Sequence, residues 1–149
     1  MITPFDDNYF MKQALNEAKR AFDKDEVPIG AVVVAKGQII ARAHNLTETL
    51  NDVTAHAEMQ AITAAANYLG GKYLKECTLY VTLEPCTMCA GALYWSQITK
   101  VVFGAHDPGR GYRDKGVDLH PKTAVNGGIL EKECGDLLKL FFEQKRANK

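Results

Sequence analysis

The sequence predicts an α/β fold built on a mixed sheet with helices on both faces. Three observations carry this. The apolar pattern changes period along the chain, giving the order α-β-β-α-β-α-β, then a loop and a last helix. Strand–helix–strand crossings return the chain to the same sheet and lay helices over its faces. Val32 to Val34 is continuously apolar, as a strand covered on both faces requires. At 149 residues, with no internal repeat, low-complexity run or linker, the chain is expected to form one domain over residues 1–149.

The elements follow in order. Phe10, Met11, Ala14, Leu15, Ala18, Ala21 and Phe22 recur at helical spacing, so Asn8 to Phe22 reads as an amphipathic helix with Lys12, Glu17, Lys19 and Arg20 off its apolar stripe. Asp23 to Glu26 is a charged turn. Ala31 to Ala35 and Gln38 to Ala43 are strands joined by the turn signal Lys36-Gly37. His44-Asn45 lies just beyond, where Asn45 serves either a pocket or only its own turn. Leu46 to Val53 is a polar connection. Ala55 to Tyr68 is an Ala-rich helix, with Thr54 as its expected N-cap and Gly70-Gly71 as its stop. Thr78 to Leu83 is a strand rich in β-branched and aromatic residues. Pro85 suits a helix start, so Cys86 to Trp95 is the next helix. That helix is apolar on most sides and is expected to be buried on more than one face, inside the monomer or against a second copy.

Thr99 to Ala105 is another strand. His106 to Arg113 is loop-like through its glycines and proline. Arg110, Tyr112, Arg113 and Lys115 form a mix able to hold a phosphate and stack a base, although a solvated loop has the same composition. Asp118 to Gly128 reads as irregular, with a short strand near Thr123-Ala124-Val125. Ile129 to Ala147 closes the chain as a helix packed through Ile129, Leu130, Leu137, Leu138, Phe141 and Phe142, with a basic tail of Lys139, Lys145, Arg146 and Lys149.

Net charge is zero, which argues against broad electrostatic coating of nucleic acid while leaving room for a local patch. The opening Met1 to Asp7 has neither a basic stretch nor an apolar one, so a secretory leader is not expected; nor does any apolar run reach a membrane span. Four cysteines make no dense disulfide framework. Cys77 and Cys134 remain available to pair, although a reducing, cytoplasmic setting is the expectation.

Two short stretches carry the chemistry. His56-Ala57-Glu58 and Pro85-Cys86-Thr87-Met88-Cys89 supply one histidine, two cysteines at i,i+3 and a carboxylate. His56, Cys86 and Cys89 form a Cys₂His set for Zn²⁺, and three protein ligands leave the fourth position open for solvent, the mark of a catalytic site. A structural zinc would recruit Cys77 or Cys134 instead, and a bare Cys pair would be redox-active or buried. Two helix N-termini aimed at one metal would favour thiolates there. Glu58 is the expected proton carrier; with Thr54 as N-cap it does not fit a capping box, whose acid would stand at Ala57. H-x-E followed by P-C-x-x-C is the signature of zinc-dependent nucleobase deaminases. Their reaction needs a strong nucleophile at neutral pH and a proton donor for a poor leaving amine.

The chain resembles the cytidine deaminase superfamily, and within it the bacterial tRNA-specific adenosine deaminases. Glu26 to Val32, Ala41 to Asn45, Thr54 to Glu58, Thr78 to Gly91 and Val102 to Ala105 carry the likeness. The resemblance implies a three-layer α/β/α fold, a homodimer with one zinc per subunit, and conversion of wobble adenosine in a tRNA anticodon loop to inosine. It assigns His56, Cys86 and Cys89 to zinc and Glu58 to proton transfer. It assigns Asn45 and the N–H of Ala57 to the bound nucleoside, and Asp107 to the RNA-facing rim. The departure is the segment Gly109 to Val117, where the family carries a longer Gly-Ser-Leu-containing stretch. A free-base deaminase acting on guanine or cytosine shares the zinc core, and a non-catalytic zinc-stabilised binding module is the reading from another class.

Overall fold

A computed structural model describes residues 5–148; Met1 to Pro4 of the opening stretch and Lys149 of the basic tail lie outside the described residues. Helix α1 (Asp7–Asp23) is followed by strands β1 (Gly30–Ala35) and β2 (Gln38–His44), helix α2 (Ala57–Leu69) and strand β3 (Cys77–Leu83). Then come helix α3 (Thr87–Ser96), strands β4 (Lys100–Ala105) and β5 (Ala124–Gly127), and helix α4 (Glu131–Ala147). The sheet order is β2-β1-β3-β4-β5. Strand β1 runs antiparallel to β2 and β3, while β3, β4 and β5 are parallel, so the sheet is mixed.

Alternation along the strands sends side chains to two cores. Ala31, Val33, Leu79, Val81, Val101 and Phe103 pack under α2 and α3; Val32, Val34, Tyr80 and Val102 pack under α1 with Cys134 of α4. This is the expected three-layer arrangement. Helix α1 lies so close to β1 that a Cβ on Gly30 would come within 2.1 Å of the Ala14 carbonyl oxygen, so only glycine fits there.

Several expectations are corrected. Helix α2 begins at Ala57 with His56 as its N-cap, not with Thr54. Thr54 instead donates its amide and hydroxyl to the Asp52 carboxylate, at 2.8 and 2.7 Å. Its stop is as read: Gly70 takes the left-handed conformation, φ 71°, and Gly71 N–H closes onto the Ala66 carbonyl. Cys86 is likewise the N-cap of α3 and not its first residue. Cys77 and Cys134 are both free, on opposite faces of the sheet, and cannot pair.

Glu17 is buried despite lying off the apolar stripe, because His44 Nδ1 stands 3.3 Å from its carboxylate. Helix α3 buries Cys89, Ala90, Leu93 and Ser96 but leaves Tyr94 exposed and Trp95 77% exposed, so it is buried on one face within this chain. Helix α4 starts two residues later than expected and leaves Phe142 exposed while Phe141 is buried. The stretch before it contains β5, which begins one residue after the expected strand and pairs in parallel with β4.

Candidate active site

The sheet topology brings two helix starts to one point. Strand β3 ends at Leu83 and passes through Glu84-Pro85 into the Cys86 cap; the chain leaving β2 passes through the 46–53 turns into the His56 cap. Caps have extended backbone, so His56 and Cys86 stand just ahead of their helices rather than inside the first turns. His56, Cys86 and Cys89 present ligand atoms that all lie within 4.8 Å of one another. His56 Nδ1 is 3.6 Å from Cys86 Sγ and 3.5 Å from Cys89 Sγ. Ideal tetrahedral bonds of zinc to nitrogen and sulfur would set those separations at about 3.5 Å, so the donor set fits the metal in kind and in spacing.

Cys89 and Glu58 are buried and Cys86 is half-buried. The Cys86 thiol is brought down to about 4, first by the Cys89 thiol beside it and then, against the cost of burial, by His56. The Cys89 thiol is pushed far up by Cys86 and by burial. Burial pushes the Glu58 carboxyl up to about 7. A bound dication would draw all three groups downward, against the shift at Cys89 and Glu58 and along with it at Cys86.

A cavity of about 700 Å³ opens over these residues. Asn45, His56, Ala57, Glu58, Cys86 and Asp107 all line it, so the structure brings every candidate residue to the cavity wall except Cys89, which lies behind it. Asn45 is buried, and its side-chain oxygen accepts the Thr47 N–H at 3.3 Å, so it closes its own turn and faces the cavity at once. Asp107 is half-buried; burial raises its carboxyl and Arg110 draws it down.

The 106–113 loop is exposed over most of its length, as the solvated-loop reading expects, but two of the residues offered for holding a phosphate and stacking a base are engaged elsewhere. Tyr112 is buried under the sheet with Leu119 and offers no stacking face. Arg113 turns inward to the buried Glu84 carboxylate, its Nε and Nη2 each 3.2 Å from an oxygen, and it also contacts His106. Arg110 remains at the cavity wall. Sequence reasoning missed Glu84 as a structural anchor, and missed Val27, Leu138, Lys139 and Phe142 as cavity lining. A charged residue directly after an apolar strand was the available signal for Glu84.

Residues 4–105 match the family model described as the cytidine and deoxycytidylate deaminase zinc-binding region. The tRNA-specific adenosine deaminase of Bacillus subtilis (strain 168) is 50% identical over 96% of this chain and 92% of its own length. A structure from studies of A-to-I editing by tRNA:A34 deaminases superposes with a TM-score of 0.79 at 44% identity, covering 87% of this chain and 98% of the other. A guanine deaminase from Bacillus subtilis matches less fully, at 38% identity, a TM-score of 0.66, and 75% and 69% coverage. With its zinc-binding region matched across most of its length and relatives of this identity, the chain belongs to the cytidine and deoxycytidylate deaminase family.

Proposed function

We propose that this chain is a zinc-dependent hydrolase that deaminates the wobble adenosine of a tRNA anticodon loop to inosine and releases ammonia. The observation that carries the chemistry is the His56, Cys86 and Cys89 donor set beside a buried carboxylate, Glu58, at the floor of an open cavity. The substrate class rests on the tRNA-specific relatives and on the higher identity to the tRNA:A34 deaminase, 44%, than to the guanine deaminase of Bacillus subtilis, 38%.

In this reading His56, Cys86 and Cys89 hold one zinc per subunit. Zinc there supplies a Lewis acid that brings the pKa of bound water to about 7. Glu58 takes one proton from water as its oxygen bonds to the amino-bearing ring carbon and delivers it to the adjacent ring nitrogen; it then carries the remaining hydroxyl proton to the amine, the carbon–nitrogen bond breaks, ammonia leaves and the oxygen stays as the ring carbonyl. Asn45 and the Ala57 N–H orient the nucleoside, and Asp107 contacts RNA at the rim. The base must be flipped out of its stack to reach the floor. Chemistry of this kind suits the cytoplasm, where tRNA resides and thiols stay reduced. Residues 1–149 act as a single nucleobase deaminase domain.

Exposed Tyr94 and Trp95, with rings 5.6 Å apart on one face of α3, suit a homodimer contact. Sedimentation equilibrium checks this: a monomer at micromolar concentration would end the dimer reading. The substrate test is direct. An anticodon stem-loop should yield inosine, and a panel of free bases should release no ammonia. Deamination of guanine or cytosine with an untouched stem-loop would replace the tRNA reading with the free-base one. Zinc binding with no deamination of any member would leave only a binding module.

A further inference from the structure

Glu84 stands two residues before Cys86, and its carboxylate is almost wholly withdrawn from solvent. Four donors converge on it: the backbone N–H groups of Asp107 at 3.1 Å and Arg113 at 3.3 Å, and Arg113 Nε and Nη2 at 3.2 Å each. That fills the acceptor capacity of a carboxylate, roughly four sites. The two side-chain bonds form a fork, the arrangement that fixes orientation as well as distance. Gly111 lies against the same carboxylate so closely that a Cβ there would come within 2.3 Å of it. Backbone bonds from Tyr112 N–H to the Pro85 carbonyl and from Gly111 N–H to the Asp107 carbonyl run alongside. The Arg113 guanidinium also lies over the Phe103 ring, 5.2 Å from its centre, so its outer face is packed as well.

A buried ion pair is a poor way to gain stability, since apolar packing of the same volume usually does as well. What it provides is a fixed geometry. Here all four bonds to Glu84, and the one from Tyr112 to Pro85, run between the segment that delivers the cysteines and the loop that brings Asp107 and Arg110 to the cavity wall. We propose that Glu84 is a positioning residue: with Arg113 as its clamp it sets the 106–113 loop at a fixed height over the site, and so controls how tightly the substrate's flanking nucleotides are engaged. This rests on the reading that the substrate is a nucleotide within RNA, entering past that loop. It assigns Glu84 no proton transfer and no contact with the base.

The test uses the zinc-loaded protein and two variants, Glu84→Gln and Arg113→Met. Amide hydrogen exchange at Asp107 and Arg113 should speed up by about tenfold or more in both variants, with exchange in β3 and β4 unchanged. With an anticodon stem-loop as substrate, KM should rise about tenfold while kcat stays within about threefold, and zinc content should not change. Unchanged exchange and unchanged KM in both variants would overturn the proposal, as would a loss confined to kcat. Should Glu84→Gln fail to fold, Arg113→Met decides alone, because Arg113 is half-exposed and outside the core. If the wild-type protein leaves the stem-loop intact, the substrate reading falls, and the exchange data still decide whether Glu84 holds the loop.

Discussion

The floor of the cavity and its rim are built by different means. At the floor, local chain geometry does the placing: each metal-facing residue stands at a helix cap or in the first turn after it, so short spacings in the chain become short distances in space. At the rim, the loop after β4 has no helix to aim it. It is held by one buried carboxylate that reaches across from the neighbouring parallel strand. The floor therefore tolerates little change in spacing but needs no distant partner. The rim could vary in length and sequence provided its long-range anchor stayed satisfied.

The largest expected effect separates the two regions cleanly. Glu58→Ala should lower kcat by about 10²- to 10⁴-fold, the range for loss of a positioned proton carrier. Zinc content, read by metal analysis, should stay at the wild-type level, because Glu58 is not among the three clustered donors. A Glu58→Ala protein that keeps its turnover would remove the carboxylate from the mechanism. One that loses zinc would make it part of the metal site instead.

That difference between floor and rim also explains what was legible beforehand. His56, Glu58, Cys86 and Cys89 could be read because two motifs of three and five residues contain them, and the fold followed from the change in apolar period. The N-cap of α2 was misplaced because Thr54 has the usual capping chemistry, yet its hydroxyl is taken by Asp52. Tyr112 and Arg113 looked like an RNA-facing pair. Their true partners, the core under the sheet and Glu84, lie 29 positions or more from Arg113 along the chain or are scattered over several elements. No local pattern records such contacts. Glu17 lies off the apolar stripe, and nothing near it in the chain signals its burial, because its partner His44 is 27 positions away.

An intermediate effect tests how tight the rim is. Gly111→Ala pushes a methyl group toward the Glu84 carboxylate, which is packed and fully bonded. Overpacking of this kind costs about 1–3 kcal/mol. The melting temperature should fall accordingly, and KM for the stem-loop should rise while zinc content holds. An unaltered melting temperature would mean that Glu84 can give way, and that the rim is softer than the floor by more than its architecture implies.

The smallest effect asks whether anchoring by a buried carboxylate is general to the cavity mouth. Glu26, fully buried, accepts the Glu48 N–H at 3.0 Å and both the N–H and hydroxyl of Thr49 at 2.6 Å, and so pins the connection that carries Thr47 to the cavity. Burial alone would raise its carboxyl, but the Thr49 hydroxyl and the two amides outweigh it and hold the group below its ordinary 4.5. Between the folded value and 4.5 the unfolded chain carries a proton that the folded chain lacks, so stability rises with pH across that window. The contribution is therefore complete above 4.5 and is lost as pH falls through the folded value. Glu26→Gln should destabilise the protein by about 1 kcal/mol at neutral pH, the difference between hydrogen bonds to a charged and to a neutral acceptor. In urea unfolding, its gap from wild type should stay level down to pH 4.5 and narrow below it. A gap that stays level far into acid would mean that protonating Glu26 costs the wild type nothing, so the loss in the variant comes from the amide group itself and not from the missing charge. The charge at Glu26 would then be incidental, and Glu84 would be the sole ionised anchor among the described residues at the mouth.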